Sequence, residues 1–248
     1  MPGRQRLDPN PDPDPTTDLN PNPNSKGDPR WPDFNWSPRG HVVLDVGAHI
    51  GAFSVWCMEQ GAATVTAYEP EPGNLALLTA NLERFGDAAQ VRAAAVSQPE
   101  DGEDEAMLVL GRDTQGVANT WRHALEGLSH YQESGGALKK LPVPLVPFFG
   151  AALGHNVTFV KLDCEGAELA ILLMDAADWG AVERLVFEYS FTKERRMGVF
   201  RGVIERLRQH GFTVMYHGLG VWEALPEWPW HTDALVYCAR EAPAGSAR

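Results

Sequence analysis

The strongest constraint on this chain is one stretch, Val42-Val43-Leu44-Asp45-Val46-Gly47-Ala48-His49-Ile50-Gly51, followed by Ala52-Phe53-Ser54-Val55-Trp56. An unbroken apolar run, an acid and then glycines opening an apolar helical pattern predict a buried parallel strand that turns tightly into a helix. In open α/β sheets that turn is where nucleotides bind. Lacking a Cβ, Gly47 allows a ligand close to the backbone, and Gly51 allows the helix to pack closely on the sheet. The spacing is Gly-x-x-x-Gly. It matches neither the G-x-G-x-x-G of nicotinamide-type loops nor the P-loop, in which Gly-Lys precedes Ser or Thr.

The next strand narrows the ligand. Ala63-Thr64-Val65-Thr66-Ala67-Tyr68 ends in Glu69, twenty-four residues after Asp45. A carboxylate at the end of the second strand of a β-α-β unit accepts hydrogen bonds from both ribose hydroxyls of an adenosine-bearing ligand. That fits a nucleoside cofactor with no pyrophosphate.

Three ordered motifs carry a resemblance to a known family. They are Leu44-Asp45-Val46-Gly47-Ala48-His49-Ile50-Gly51, then Tyr68-Glu69-Pro70, then Val160-Lys161-Leu162-Asp163-Cys164-Glu165-Gly166-Ala167-Glu168. Together they resemble the FkbM-type family of S-adenosylmethionine-dependent methyltransferases, from Val42 to Phe187. The resemblance implies methyl transfer from S-adenosylmethionine to a hydroxyl of a small molecule, sugar or glycoside. It implies a cofactor set of Asp45, Gly47, His49, Gly51 and Glu69, with Ser97 beside the adenine. His49 stands where the family usually has Asn, so it either donates one hydrogen bond to the ligand or packs in the turn. A Leu-Asp pair common after the Pro142–Pro147 strand is replaced here by Phe148-Phe149.

Asp163 and Glu165 follow the buried strand Val157–Leu162, at the mouth of the crevice where ligands of open α/β sheets bind. Either serves as a general base for the acceptor hydroxyl, or both join Glu188 in holding a magnesium ion. The structural alternative is that they cap the helix predicted over Ala167–Met174. Lys161, two residues before Asp163, shares its face of the strand and either tunes a carboxylate or covers the sheet edge.

Length and charge bound the rest. A chain of 248 residues suits one domain with a tail, and its formal charge of -12 opposes binding to nucleic acid or anionic lipid. Cys57, Cys164 and Cys238 are scattered, with neither a disulfide framework nor a zinc pattern, which indicates a reducing, cytoplasmic setting. No apolar run is long enough to span a membrane, and no secretory signal is evident.

The domain expectation is a Pro/Asp/Asn-rich tail over 1–30, a methyltransferase domain over 31–240 and a frayed end over 241–248. Ten of the nineteen prolines fall in the first forty residues, where they remove amide donors. Trp31, Phe34 and Trp36 then pack onto the domain, as a lid over the cofactor or a cover on its sheet. Pro72 opens a helix whose stripe is Leu75, Leu78, Leu82 and Phe85; Asn74 and Asn81 flank it in capping or surface roles, and the family resemblance marks both as positions of interest. Val91–Val96 reads as a third strand, with Ser97 in the loop after it. Pro142, Pro144 and Pro147 predict an edge strand, while Val117–His123 is an acceptor-contact candidate and His217 a more distant base.

Counting elements predicts a three-layer, doubly wound α/β sandwich with a mostly parallel seven-stranded sheet. That the last strand runs antiparallel is what the resemblance to class I methyltransferases implies. Two rival functions share parts of this pattern: a nicotinamide-dependent oxidoreductase, and a non-catalytic nucleoside-binding or scaffold protein.

Overall fold

The computed structural model describes residues 36–98, 102–110, 123–127, 139–174, 178–191, 197–218, 224–225, 228–229 and 233–240. In chain order the first elements are β1 (Val42–Val46), α1 (Ala52–Glu59), β2 (Thr64–Tyr68), α2 (Pro72–Leu82), β3 (Ala89–Arg92), β4 (Ala95–Ser97), β5 (Glu105–Val109), β6 (Ala124–Leu125) and β7 (Lys140–Pro147). Then come β8 (Phe159–Leu162), α3 (Glu168–Leu172), β9 (Arg184–Ser190), α4 (Met197–Gln209), β10 (Thr213–Gly218), β11 (Ala224–Leu225), β12 (Trp228–Pro229) and β13 (Asp233–Ala239).

Strand β1 lies in the interior of the main sheet, between β8 and β2, as its apolar run requires; Val43, Leu44 and Asp45 have no exposed surface. The seven strands run in the order β10-β13-β9-β8-β1-β2-β3. All neighbours from β3 to β9 pair in parallel, and β13 runs antiparallel to both β9 and β10. Helices α1 and α2 cover one face, where Val43, Cys57, Val65, Leu78, Leu82 and Phe159 form one core. The opposite face carries Leu44, Val46, Val160, Leu162 and Leu185 against residues of α3 and α4 such as Ile171, Phe200 and Val203. This is the three-layer doubly wound sandwich that the element count predicts, closed by the antiparallel strand.

Helix α2 begins as its sequence directs. Glu71 is its N-cap and accepts from the Asn74 amide at 2.6 Å, and Pro72 occupies the first turn, where its missing N–H costs nothing.

Two local expectations need correction. The stretch Val91–Val96 is two strands: β3 ends the main sheet, and a bend at Ala93–Ala94 sends β4 into a second, four-stranded sheet of order β4-β7-β5-β6. Strand β7 is no edge. It lies between β5, which pairs with Lys140–Pro144, and β4, which pairs with Leu145–Pro147. Its prolines are tolerated because the two pairings meet end to end, leaving each proline a side that needs no amide. Trp36 is a cover on the sheet, its ring 4.9 Å from Tyr237 and 6.2 Å from Phe159. Phe148 and Phe149 stack edge to face with each other, and both pack against Trp179 in the core.

The 1–30 and 241–248 segments, Trp31, Phe34, residues 117–122 and the His217 side chain lie outside the described residues. Among the described residues no helix is long and apolar enough to cross a membrane.

Candidate active site

The turn after β1 is built against strand ends on both sides. The amides of Gly47 and Ala48 donate to the Tyr68 carbonyl at 3.0 and 2.9 Å, tying the turn to the end of β2. On the other side, a Cβ on Gly47 would lie 1.9 Å from the Asp163 carbonyl oxygen, and its φ is +73°. Glycine is required there by the approach of the chain after β8. Gly51, at φ +89°, leaves room for Leu78 of α2, whose Cδ1 would sit 2.6 Å from an added Cβ. Its close packing is thus helix on helix, where helix on sheet was expected.

Asp45 is fully buried, and both of its oxygens are taken. Ser54 Oγ donates to one at 2.6 Å, and Lys161 Nζ donates to the other at 3.1 Å. Lys161 Nζ also donates to the Gly47 carbonyl at 2.9 Å and pairs with Asp163 at 3.4 Å. Burial pulls the Lys161 ammonium toward neutrality, but the charges of Asp45 and Asp163 outweigh it and raise its pKa. Asp45 therefore presents no surface to a cofactor and acts on the turn through Lys161 and Ser54.

Glu69 does reach the turn. Its carboxylate accepts from the His49 amide at 2.8 Å and from the Glu71 amide at 2.9 Å. Burial pushes its pKa up, while the hydrogen bonds from Glu71, His49 and the Asn74 side chain pull it back. Asn81 Nδ2 donates to the Ile50 carbonyl at 2.8 Å, so the two asparagines flanking the α2 stripe both serve the turn. His49 sits in the left-handed region at φ 53°, and its Nε2 is buried with no hydrogen-bond partner among the described residues. A buried ring nitrogen without a partner, beside a carboxylate with lone pairs to spare, fits the hydroxyls and amines of a nucleoside ligand. Ser97 is not part of this group. It is buried in β4, its carbonyl accepts from Phe148, and it lines a separate concavity with Glu103, Glu105 and Glu126.

Past the end of β8 the carboxylates converge. Glu168 is buried and holds the loop: its oxygens accept from the amides of Cys164 and Gly166, each at 2.7 Å. The start of α3 has no side-chain cap, so neither Asp163 nor Glu165 plays the capping role. The loop clamp was missed because Glu168 reads as an ordinary first-turn acid. Glu165 stands at φ 51°, unusual for a residue with a Cβ. Burial, then the charges of Asp163, Glu168, Glu188 and Asp233, push its carboxyl up to about 8. Glu188 is pushed up to about 7, by burial and then by Asp163, Asp233 and Glu168, while Lys161 opposes the rise. Among the described residues no group of His, Cys, Asp and Glu is arranged to hold a metal ion, so the carboxylates do not fit the magnesium expectation.

An apolar groove of about 270 Å³ reaches Asp163 and Glu188 along the α1 side of the sheet. Trp36, Phe53, Trp56, Phe159 and Tyr237 line it, and Lys161, Asp163 and Glu188 lie at its polar end.

A doubly wound sheet closed by an inserted antiparallel strand, with a glycine turn after β1 and an acid ending β2, defines the class I methyltransferase fold. A family model described as the methyltransferase FkbM domain matches residues 45–214. The chain belongs to this FkbM methyltransferase family, and it is a methyltransferase.

Among curated proteins it is 28% identical over 196 residues to the 31-O-demethyl-FK506 methyltransferase FkbM of Streptomyces tacrolimicus, covering 71% of this chain and 74% of that one. It is also 28% identical over 213 residues to the AMB antimetabolite synthetase AmbE of Pseudomonas aeruginosa, covering 71% of this chain but 10% of the synthetase. A crystal structure of methyltransferase FkbM from Methylobacillus flagellatus KT aligns with TM-score 0.45 at 15% identity, over 83% of this chain and 44% of that one.

Proposed function

We propose that this protein is an S-adenosylmethionine-dependent O-methyltransferase acting on a hydroxyl of a small molecule, sugar or glycoside. The observation that carries the reading is Glu165: a carboxyl pushed up to about 8, in a left-handed backbone position, two residues past Asp163 of the Lys161–Asp163 pair. A general base works best when its pKa lies near the working pH. Glu165 meets that condition where an ordinary carboxylate would be too weak.

Glu69 and His49 would hold the nucleoside, with Asn74 orienting the Glu69 carboxylate and Asn81 steadying the turn. When bound, S-adenosylmethionine supplies a methyl group activated by its sulfonium. The chain's own work is to align the acceptor oxygen and remove its proton. Glu165, once ionised, takes the hydroxyl proton on its carboxylate oxygen as the acceptor oxygen becomes nucleophilic. Asp163, fixed by Lys161, would accept from a neighbouring hydroxyl of a polyhydroxylated acceptor, and Glu188 completes the acidic wall.

Calorimetric titration with S-adenosylmethionine and with NAD tests the cofactor. Tight binding of the first and none of the second is expected, and the reverse overturns the proposal. An acceptor screen with methyl-labelled cofactor, followed by product analysis, tests O-methylation. Label on nitrogen or carbon, or in nucleic acid, refutes the acceptor class.

A further inference from the structure

Strands β1 and β8 pair in parallel with Asp45 beside Lys161, so Asp45, Gly47, Lys161 and Asp163 form a quadrilateral on one face. The ladder's last bond is from the Asp163 amide to the Val46 carbonyl at 3.1 Å. Beyond it the turn after β1 carries the proposed cofactor residues, and the loop after β8 carries the proposed acceptor carboxylates. One side chain bridges the two. An ammonium has three donors, and those of Lys161 meet Asp45 Oδ1, the Gly47 carbonyl and Asp163 Oδ2. The Lys161 side chain is only 17% exposed, so these contacts are little screened by solvent.

We propose that Lys161 is a positioning residue for methyl transfer: its ammonium holds the glycine turn in register with the acceptor carboxylates. This inference rests on the function proposed above. Lys161 is the cation opposing the rise of Glu188, while the carboxylates of Asp163, Glu168 and Asp233 drive it. Its charge also acts on the thiols of Cys57 and Cys164, which burial holds neutral. Lys161 thus serves both halves: a hydrogen bond to the turn's backbone, and a charge that limits the rise of Glu188. A lysine that merely covered the sheet would do neither.

Replacing Lys161 alone would leave Asp45 as a buried, unpaired charge. The informative variant is the neutral pair Asp45→Asn with Lys161→Met, compared with Asp45→Asn alone; the Ser54 hydroxyl can donate to the carboxamide oxygen or accept from its NH2, so it keeps a partner in both. The pair is expected to bind S-adenosylmethionine about tenfold more weakly than Asp45→Asn in calorimetry, because the charged donor to the Gly47 carbonyl is gone. The titration midpoint of Glu188, followed by carbon NMR of labelled glutamate, is expected to move upward. A second variant, Lys161→Gln with Asp45→Asn, retains a donor without charge. It is expected to recover part of the affinity while leaving the Glu188 midpoint as high as in the first pair.

If the paired variants match Asp45→Asn in affinity, or leave the Glu188 midpoint in place, the bridging role is overturned. A wild-type protein that binds no S-adenosylmethionine overturns the proposed function, and this inference with it. A wild type that binds, alongside variants that bind equally well, overturns this inference alone.

Discussion

Replacing Glu165 with glutamine separates the base from a structural acid. The carboxyl is held at about 8 against an ordinary 4.5. A folded-state pKa above the unfolded one means the native protein binds the extra proton between those values. Glu165 therefore contributes its full stability below pH 4.5, and that contribution is lost as pH rises to about 8. A tenfold change in proton affinity is worth about 1.4 kcal/mol, so the native-state cost of ionising Glu165 is at most about 5 kcal/mol at alkaline pH. Glutamine keeps the shape and cannot ionise. The variant should lose most of this pH dependence and melt above wild type near pH 8.5, by about 2–4 °C for each kcal/mol recovered. Glu188, at about 7, keeps a residual slope of the same sign in both proteins. Turnover with a true acceptor at saturating cofactor should fall by about 10² to 10⁴, the usual worth of a general base. Wild-type kcat/KM should itself rise with pH to a midpoint near the Glu165 value. Melting curves from acid to alkaline pH, with turnover on the same samples, decide the matter. An unchanged melting slope refutes the buried-carboxyl argument, and unchanged turnover refutes the base.

Gly47→Ala should be severely destabilising, by more than about 3 kcal/mol, because its Cβ would meet the Asp163 carbonyl at 1.9 Å in a left-handed conformation; chemical denaturation measures it. Glu69→Ala should weaken S-adenosylmethionine binding about tenfold or more with little change in the far-ultraviolet spectrum, since each hydrogen bond to a charged acceptor is worth about 1.5–3 kcal/mol. An unchanged dissociation constant removes Glu69 from the cofactor site. Glu168→Ala should cost about 2–4 kcal/mol, leaving the amides of Cys164 and Gly166 without their acceptor; a loss below about 1 kcal/mol in urea unfolding would show that water replaces the clamp.

Much of the architecture is legible in the sequence because it rests on local pattern. The buried run of β1, the glycine turn and the acid ending β2 each announce themselves within a few residues, and the asparagines flanking the α2 stripe stand out, though not their joint service to the turn. Features that depend on distant partners do not. Nothing near Asp45 reveals that an ammonium 116 residues away consumes one of its oxygens, so in sequence it reads as a ligand contact. The split of Val91–Val96 is equally silent, because Ala93 and Ala94 neither break nor continue a strand pattern while the chain changes sheets. Prolines in β7 suggest an edge because a central strand normally needs amides on both sides. Here each half of the strand has one partner. Glu165 is legible as an acid at the crevice, but its elevated pKa draws on Glu188 and Asp233 from other strands.

The inserted strand β13 bears on how the protein is made. Because it lies between β9 and β10 and opposes both, the sheet cannot close in the order of synthesis. On the ribosome β10 emerges with no neighbour to pair with, and both it and β9 keep an open edge until the last strand threads between them. Asp233, paired with Ser190 at the head of β13, is the final carboxylate to join the acidic wall. Every residue proposed to hold the nucleoside lies before Leu82, far upstream. A translation product that stops short of β13 would thus carry the parts of a cofactor site without the electrostatics that tune its base. Quality control that recognises open strand edges would find at β9 one that the finished sheet does not have.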